Sequence, residues 1–416
     1  PIDRDQFVVR GDWVESSKSN WFGRYSWGDE NQLTSQLFQN GDKIITTFDQ
    51  YMVSNTRVLS PTMVNEARFG LTRFYNTTGP ELAFSRNVVG ELNIPGLAPG
   101  PSVQWGIPAI GFAGVYSGFG NGSEGPYENN NRTIQAVNNF SLIKGKHTFK
   151  MGGEVRWDNY FQVGNQFARG EFLFNADATR NPAVTGSRGD GFADFLLGQI
   201  QQAEAAVSIA NAKFQNVGFA AFFDDTWKIT QKVTINWGIR YELTPPWKDA
   251  TGTLFNAIVR QDVRPTDPFN AVVQNRAEYP FFMRQGAASN DPYSGINLRW
   301  PDIEVRQDGT LGDRLVSTDR NDFAPRFGIS WNPSSKWVIR GGGGVFYNQD
   351  TGNPRFDMSR NLAGRLRDNS NSLFPNLRWE NGLAAIAGGI ANVPRPYSFA
   401  NPYDRRTTYS TQYMLN

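Results

Sequence analysis

The sequence predicts an all-β chain, an antiparallel transmembrane β-barrel, on three observations. Segments with one apolar and one charged face recur along its 416 residues, short and long connections alternate between them, and Trp and Tyr stand near the ends of the apolar rows. Successive strand side chains leave on opposite faces, so each such segment builds a wall that is apolar on one side and polar on the other. In a soluble sandwich the apolar side is core; in a membrane barrel it meets lipid, and the polar side lines the lumen.

The strands come in pairs. In 5–14 with 19–28, Phe7, Val9 and Trp13 oppose Arg10 and Asp12, and Trp21, Tyr25 and Trp27 oppose Arg24 and Ser26. The second pair is 43–57 with 62–75; its first member is apolar on both faces, which a bulge or a dry protein contact would explain. In 131–142 with 147–162, Phe149, Met151, Val155 and Trp157 alternate with Lys150, Glu154, Arg156 and Asp158. Between Gln166 and Ala210 an extramembrane hairpin is expected, with strands at Gly170 to Phe174 and Ala205 to Ile209 and a helical turn at Phe192 to Leu197. The clearest alternation lies in the fourth pair, 213–228 with 232–246. Val233, Ile235, Trp237, Ile239, Tyr241 and Leu243 share one face, and Thr234, Asn236, Gly238, Arg240 and Glu242 the other. In 321–331 with 336–348, Phe323, Phe327, Ile329 and Trp331 oppose Asp322, Arg326 and Ser330, and the run Gly341 to Gly344 marks a bend or a close approach. Thr407 to Asn416 reads as the opening of another strand, so the chain is expected to be part of something longer.

Short turns join the members of each pair, at Glu15 to Ser19, Leu59 to Thr62, Ile143 to His147, Ile229 to Lys232 and Asn332 to Lys336. Long Gly, Asn and Pro-rich stretches separate the pairs: Gly28 to Asp42, Asn76 to Asn130, Trp247 to Arg320, and Gln349 to about Tyr403. Structureless loops beyond about 15 residues are uncommon in compact soluble domains. Outer-membrane barrels have this asymmetry, with short periplasmic turns and long external loops. Trp157, Trp227, Trp237, Tyr241, Trp331 and Trp337 are the expected lipid-facing girdle, because amphipathic rings collect at the two water interfaces of a bilayer.

Composition excludes several functions. Mean hydropathy is −0.49, and no apolar run approaches the roughly 20 residues of a membrane helix. A net charge of +2 without a Lys and Arg cluster points to no nucleic-acid partner. The absence of Cys removes disulfides, thiolate metal sites and thiol nucleophiles. The single histidine, His147, removes a His-rich metal centre and reads as a solvated turn residue. Asp224 and Asp225 leave a strand on opposite faces, so they make no catalytic pair; Asp225 falls on the apolar parity, where the turn at Ile229 places it at the membrane interface. Gly341 to Gly344 lacks the Gly-Lys-Ser/Thr ending of a phosphate cradle. No catalytic residue and no cofactor is expected. Asn175 to Asn181, Asn321 with Asp322, and Asn353 offer oxygen ligands for loop Ca²⁺ outside any EF-hand frame, and the same residues are ordinary turn formers. The glycine-rich stretch Gly100 to Asn131 carries Trp105, Phe112, Tyr116, Phe119 and Tyr127. Two readings stand for it: Trp105, Phe112, Tyr116 and Tyr127 grip a solute, or the rings pack together over the barrel mouth.

The segment Phe222-Phe-Asp-Asp-Thr-Trp-Lys-Ile-Thr-Gln-Lys-Val-Thr-Ile-Asn-Trp-Gly-Ile-Arg-Tyr-Glu242 resembles the barrel hairpin of TonB-dependent receptors. Further matches are Lys146 to Arg156, Phe192-Ala-Asp-Phe-Leu-Leu-Gly198, Asn321 to Gly328 and Val338 to Tyr347. Together they span roughly Asp5 to Tyr413 and are similar to the large Oar-like receptors. The resemblance implies a barrel of about 22 strands in a bacterial outer membrane, plugged by a separate N-terminal domain. It also implies an unknown extracellular solute, outer-membrane lipid around the wall, and a TonB complex reached through an N-terminal part that these residues do not include. About ten strands of 9 to 11 membrane residues each correspond to roughly half such a barrel. All of 1–416 is then one partial barrel domain without plug, regulatory-like domain or final strands. Two functions remain: a receptor that captures a solute for TonB-energised import by the full-length protein, or a non-transporting display, adhesion or structural protein on the same barrel.

Overall fold

Alternation without interruption favours long strands, because every residue satisfies its backbone across the ladder while its side chain chooses a face. A computed structural model describes residues 1–36, 40–97, 100–113, 116–122, 124–206, 210–258, 281–286, 305–307, 309, 312–316, 318–347, 356, 358–359, 365–369, 377–383 and 409–415. Eleven strands follow one another in chain order as an antiparallel meander. They are β1 (Ile2–Ser16), β2 (Ser19–Thr34), β3 (Asp42–Ser60), β4 (Met63–Pro80), β5 (Glu124–Lys144), β6 (His147–Gln166), β7 (Ala210–Lys228), β8 (Val233–Leu243), β9 (Asp322–Ser334), β10 (Trp337–Tyr347) and β11 (Tyr409–Leu415). Among the described residues β1 and β11 are the two edges, so the wall is open.

All five expected pairs form, and Thr407 to Asn416 does contain a strand, β11. Several strands run farther toward the long connections than alternation alone indicates; β5 begins at Glu124 and β2 continues to Thr34. Of the two explanations for apolar residues on both faces of β3, a bulge within the strand is absent. Its ladder to β4 is in register from Asp42 to Val58 and shifts only beside the turn, between Val58 and Ser60. The apolar residues on its second face, Phe48 and Met52, simply occupy the lumen parity.

The short turns are tied to one another in sequence. Val58 N donates to Lys18 O, Ile143 N to Thr62 O, Lys228 N to Lys146 O and Asn332 N to Lys232 O, at 2.7 to 2.8 Å. Two lysines add a second bond across the same rim: Lys146 Nζ reaches Ile229 O at 2.8 Å, and Lys232 Nζ reaches Pro333 O at 3.3 Å. Each bond satisfies a carbonyl that the turn leaves outside the ladder.

Burial is inverted relative to a soluble domain. Trp157, Phe219, Trp237, Ile239, Phe327 and Trp331 on the wall are all exposed. A contiguous apolar belt of this kind marks a surface that meets something other than water. Its height fits a bilayer: Trp157 pairs with Val217, ten residues along β7 from Trp227. At about 3.4 Å per residue and a tilt near 40°, that separates two ring levels by about 25 Å along the membrane normal.

The buried hydrophobic residues come mostly from the long connections. One core gathers Ile110, Phe172, Phe174 and Ile200 under a sheet of Ala109–Phe112, Glu171–Phe174, Gln202–Ala206 and Arg365–Asn369. The expected hairpin between 166 and 210 is therefore real, with its second strand at Gln202–Ala206; residues 207–209 lie outside the described residues. A second core sets Trp247, Leu254, Met283 and Phe356 against Ala212 and Phe214, which stand on the lumen parity of β7. This connection thus folds back over the lumen side of the wall.

Candidate functional site

On the lumen face of β6, β7 and β8 the residue sizes alternate between strands. β7 presents Asn216, Gly218 and Ala220 there, while β6 presents Glu154, Arg156, Asp158 and Tyr160 and β8 presents Arg240 and Glu242. Small residues in the middle strand leave a trough between two charged rails. Arg240 crosses it: its Nη2 lies 3.5 Å from Glu154 Oε2 on β6, and its Nε donates to Glu242 Oε1 at 2.5 Å on its own strand. Farther along, Arg156 Nε donates to Asp158 Oδ2 at 2.9 Å, and Thr133 on β5 donates to Asp158 Oδ1 at 2.6 Å. Gln135 Nε2 donates to Glu154 Oε1 at 2.7 Å. The trough holds a cavity of about 190 Å³ and is closed at one end by Trp247, stacked on Tyr160 with ring centroids 4.7 Å apart. Most of these polar groups satisfy one another, so the rail is ordered before any solute arrives. Such a surface offers both donors and acceptors.

The loop sheet carries the aromatic residues. Asp190 caps the short helix Gly191–Leu196 by accepting from Ala193 N at 2.9 Å, and its Oδ2 accepts from the Tyr116 hydroxyl at 3.0 Å. The Ala193 amide first, and the hydroxyl second, hold the Asp190 carboxyl below the usual carboxylate range; Asp190 in turn raises the Tyr116 phenol. Tyr116 faces Phe192 at 5.5 Å and Phe112 at 6.3 Å. Deeper in the same connections, burial pushes the Arg169 guanidinium down to about 10, with the carboxylate of Asp42 opposing that shift. Its Nη2 donates to Gly122 O at 2.7 Å, which ties two loops together.

Of the four residues expected to contact a solute, the structure brings two together. Phe112 packs on the loop core, and Tyr116 stands exposed above it. Trp105 is bound to its own loop through an Nε1 bond to Gly100 O at 3.2 Å. Tyr127 is not in a loop: it lies on β5 and packs against the second core with Tyr160. Phe192, 40% exposed beside Tyr116, escapes a reading by pattern, because its motif reads as a helical turn and spacing does not show which ring it meets.

The six girdle residues all lie on the lipid parity. Trp227, Trp331 and Trp337 mark the short-turn level, and Trp157 and Tyr241 the opposite one. Trp237 lies one row inside Trp227, directly opposite Asp225. His147 is likewise not a solvated turn residue. It is partly buried and bonds Asp225, whose position on the outer face next to the turn matches expectation. Asn175 and Asp177 form a local turn, with Asp177 N donating to Asn175 Oδ1 at 3.1 Å. Asn353 lies outside the described residues. Among the described residues there is no group of three or more His, Asp or Glu side chains placed to hold a metal ion.

An open antiparallel meander with a lipid-type belt, two ring levels and a charged inner rail defines an outer-membrane β-barrel wall. Residues 1–416 match the family model described as an outer membrane beta barrel domain, and the chain belongs to that family, in the bacterial outer membrane. No curated protein matches it. Similar solved structures include the alcaligin outer membrane receptor FauA from Bordetella pertussis, at 8% identity over 84% of this chain and 36% of that one, with a TM-score of 0.43. The outer membrane transporter YddB from Escherichia coli aligns at 8% identity over 88% and 34%, with a TM-score of 0.44. The ferric-catecholate import receptor Fiu from E. coli aligns at 11% identity over 85% and 45%, with a TM-score of 0.41. The chain spans between a third and a half of the length of these proteins.

Proposed function

We propose that this wall is part of an Oar-like TonB-dependent receptor, which captures a solute at its long connections and imports it with energy delivered by a TonB complex. The observation that carries the reading is the placement of two solute-type surfaces at one end of the wall. The exposed Tyr116 and Phe192 pair stands on the loop sheet, and the Glu154, Arg156, Arg240 and Glu242 rail lies below on the lumen side. Rings supply contact area at low entropic cost, and an ordered polar rail accepts a solute without large rearrangement.

Depletion of solutes from defined medium tests the reading, using cells that carry the full-length protein with and without a functional TonB. The expected result is depletion that needs TonB and that falls when Tyr116→Ala and Phe192→Ala are combined. Depletion that is equal in both strains, or absent from both, favours the display protein. That second reading draws support from the loop sheet, which has a hydrophobic core of its own.

A further inference from the structure

On the lipid-facing parity of β4 and β5 the apolar belt ends abruptly. Leu71 pairs with Ile134, and Ile134 with Trp157; two residues nearer the long connections, Arg73 pairs directly with Arg132. Both arginines are exposed, and neither has a hydrogen bond or ion pair among the described residues. Like charges directly opposite one another destabilise a sheet. One carboxylate, Asp49 opposite Arg73 on β3, stands in this row, so two guanidinium charges face a single protein anion.

The surroundings suit a further anion. The Tyr25 hydroxyl donates to Oδ1 of Asp49 at 2.7 Å. On the other side of Arg132 stands Asn159, whose Nδ2 is buried without a hydrogen-bond partner. One row farther out, Lys213 adds a third cation, 5.9 Å from the centre of the Phe161 ring. Two guanidinium forks, an amide donor and an ammonium thus lie just above a floor of Leu71, Ile134 and Trp157.

We propose that Arg73 and Arg132 hold a phosphate group of an outer-leaflet lipid, with Asn159 as an added donor and the Ile134 and Trp157 surface against its acyl chains. Guanidinium forks match phosphate oxygens in pairs, and charge-assisted bonds of this kind are the strong ones. The site lies on the outside of the wall, apart from the solute path, and rests on the orientation that puts the long connections outside the cell.

Native mass spectrometry of the detergent-solubilised full-length protein tests the proposal, with diphosphoryl lipid A, the same lipid without phosphates, and phosphatidylglycerol as probes. Lipid A retention is expected to fall about tenfold in each of Arg73→Gln and Arg132→Gln and further in the double variant, while Arg68→Gln on the lumen face leaves it unchanged. The lipid-free double variant is expected to melt no lower than the parent, since a repulsion has been removed. Equal retention by the double variant overturns the proposal. So does equal retention of the phosphate-free lipid or of phosphatidylglycerol, or a lower lipid-free melting temperature. Labelling of Thr185→Cys by an impermeant maleimide on intact cells checks orientation separately, because the chain has no cysteine of its own. An introduced thiol that stays unlabelled on intact cells, yet reacts once they are lysed, overturns the placement itself, whatever the solute assay shows.

Discussion

Oδ2 of Asp225 lies 2.7 Å from Nδ1 of His147, on the lipid-facing side of the wall beside the short-turn rim. The imidazole stacks between Phe149 and Trp227 at 5.4 and 5.3 Å, and Asp225 is 3% exposed. A carboxylate under aromatic cover at a membrane boundary needs this donor, since a buried unsatisfied group costs about 1–3 kcal/mol. His147→Ala is therefore expected to destabilise the wall by that amount in urea unfolding from lipid vesicles. Adding Asp225→Asn should recover part of it, and additive losses would mean that the contact contributes nothing.

The assigned faces predict unequal responses to charge. Ile239→Arg, inside the lipid belt, is expected to cost about 2–4 kcal/mol, and Ile235→Arg, two residues from the start of β8, less. Asn236→Arg should be tolerated, because Asn236 stands on the lumen side, where Thr226 Oγ1 bonds it at 2.8 Å. Folding yield into vesicles measures all three, and indistinguishable yields would reverse the faces.

Arg240 reaches Glu154 diagonally across β7, past Ala220, the residue paired with Glu154. Both ends of that pair are about a quarter exposed, so the interaction contributes about 0.2–1 kcal/mol. Ala220→Leu should fill the trough and uncouple the two residues in a double-mutant cycle while leaving strand pairing intact. An unchanged coupling energy would show that the charges meet by another path.

Asp190 links the loop helix to Tyr116, and its lowered carboxyl sets the pH behaviour. A carboxyl held below its unfolded value contributes order that is present above the ordinary carboxylate range and is lost as pH falls through the lowered value. Hydrogen exchange at the Ala193 amide should accordingly quicken in acid, and Asp190→Ala should show the fast rate at neutral pH. An Ala193 amide equally protected in both proteins would show that the cap adds no order to the loop helix.

Much of this architecture was legible in the residues themselves. Val233 to Leu243 alternates without error, so its strand and its two faces follow from a side-chain period of two, while the alternation of short and long connections argues for a lipid-bounded wall. The same period located Trp157, Trp227 and Trp331 on the outer face, and the spacing of turns separated the short rim from the long connections. Pairing across strands was not legible, because it joins residues far apart in the chain. Whether Arg240 reaches Glu154, whether Trp237 faces Asp225, and whether Arg73 faces Arg132 all depend on register and on the size of the residue between. The long connections hid most, since their rings follow no period. Only the tertiary fold placed Tyr127 on a strand against the second core and set Tyr116 beside Phe192, because those contacts come from packing and not from any local repeat.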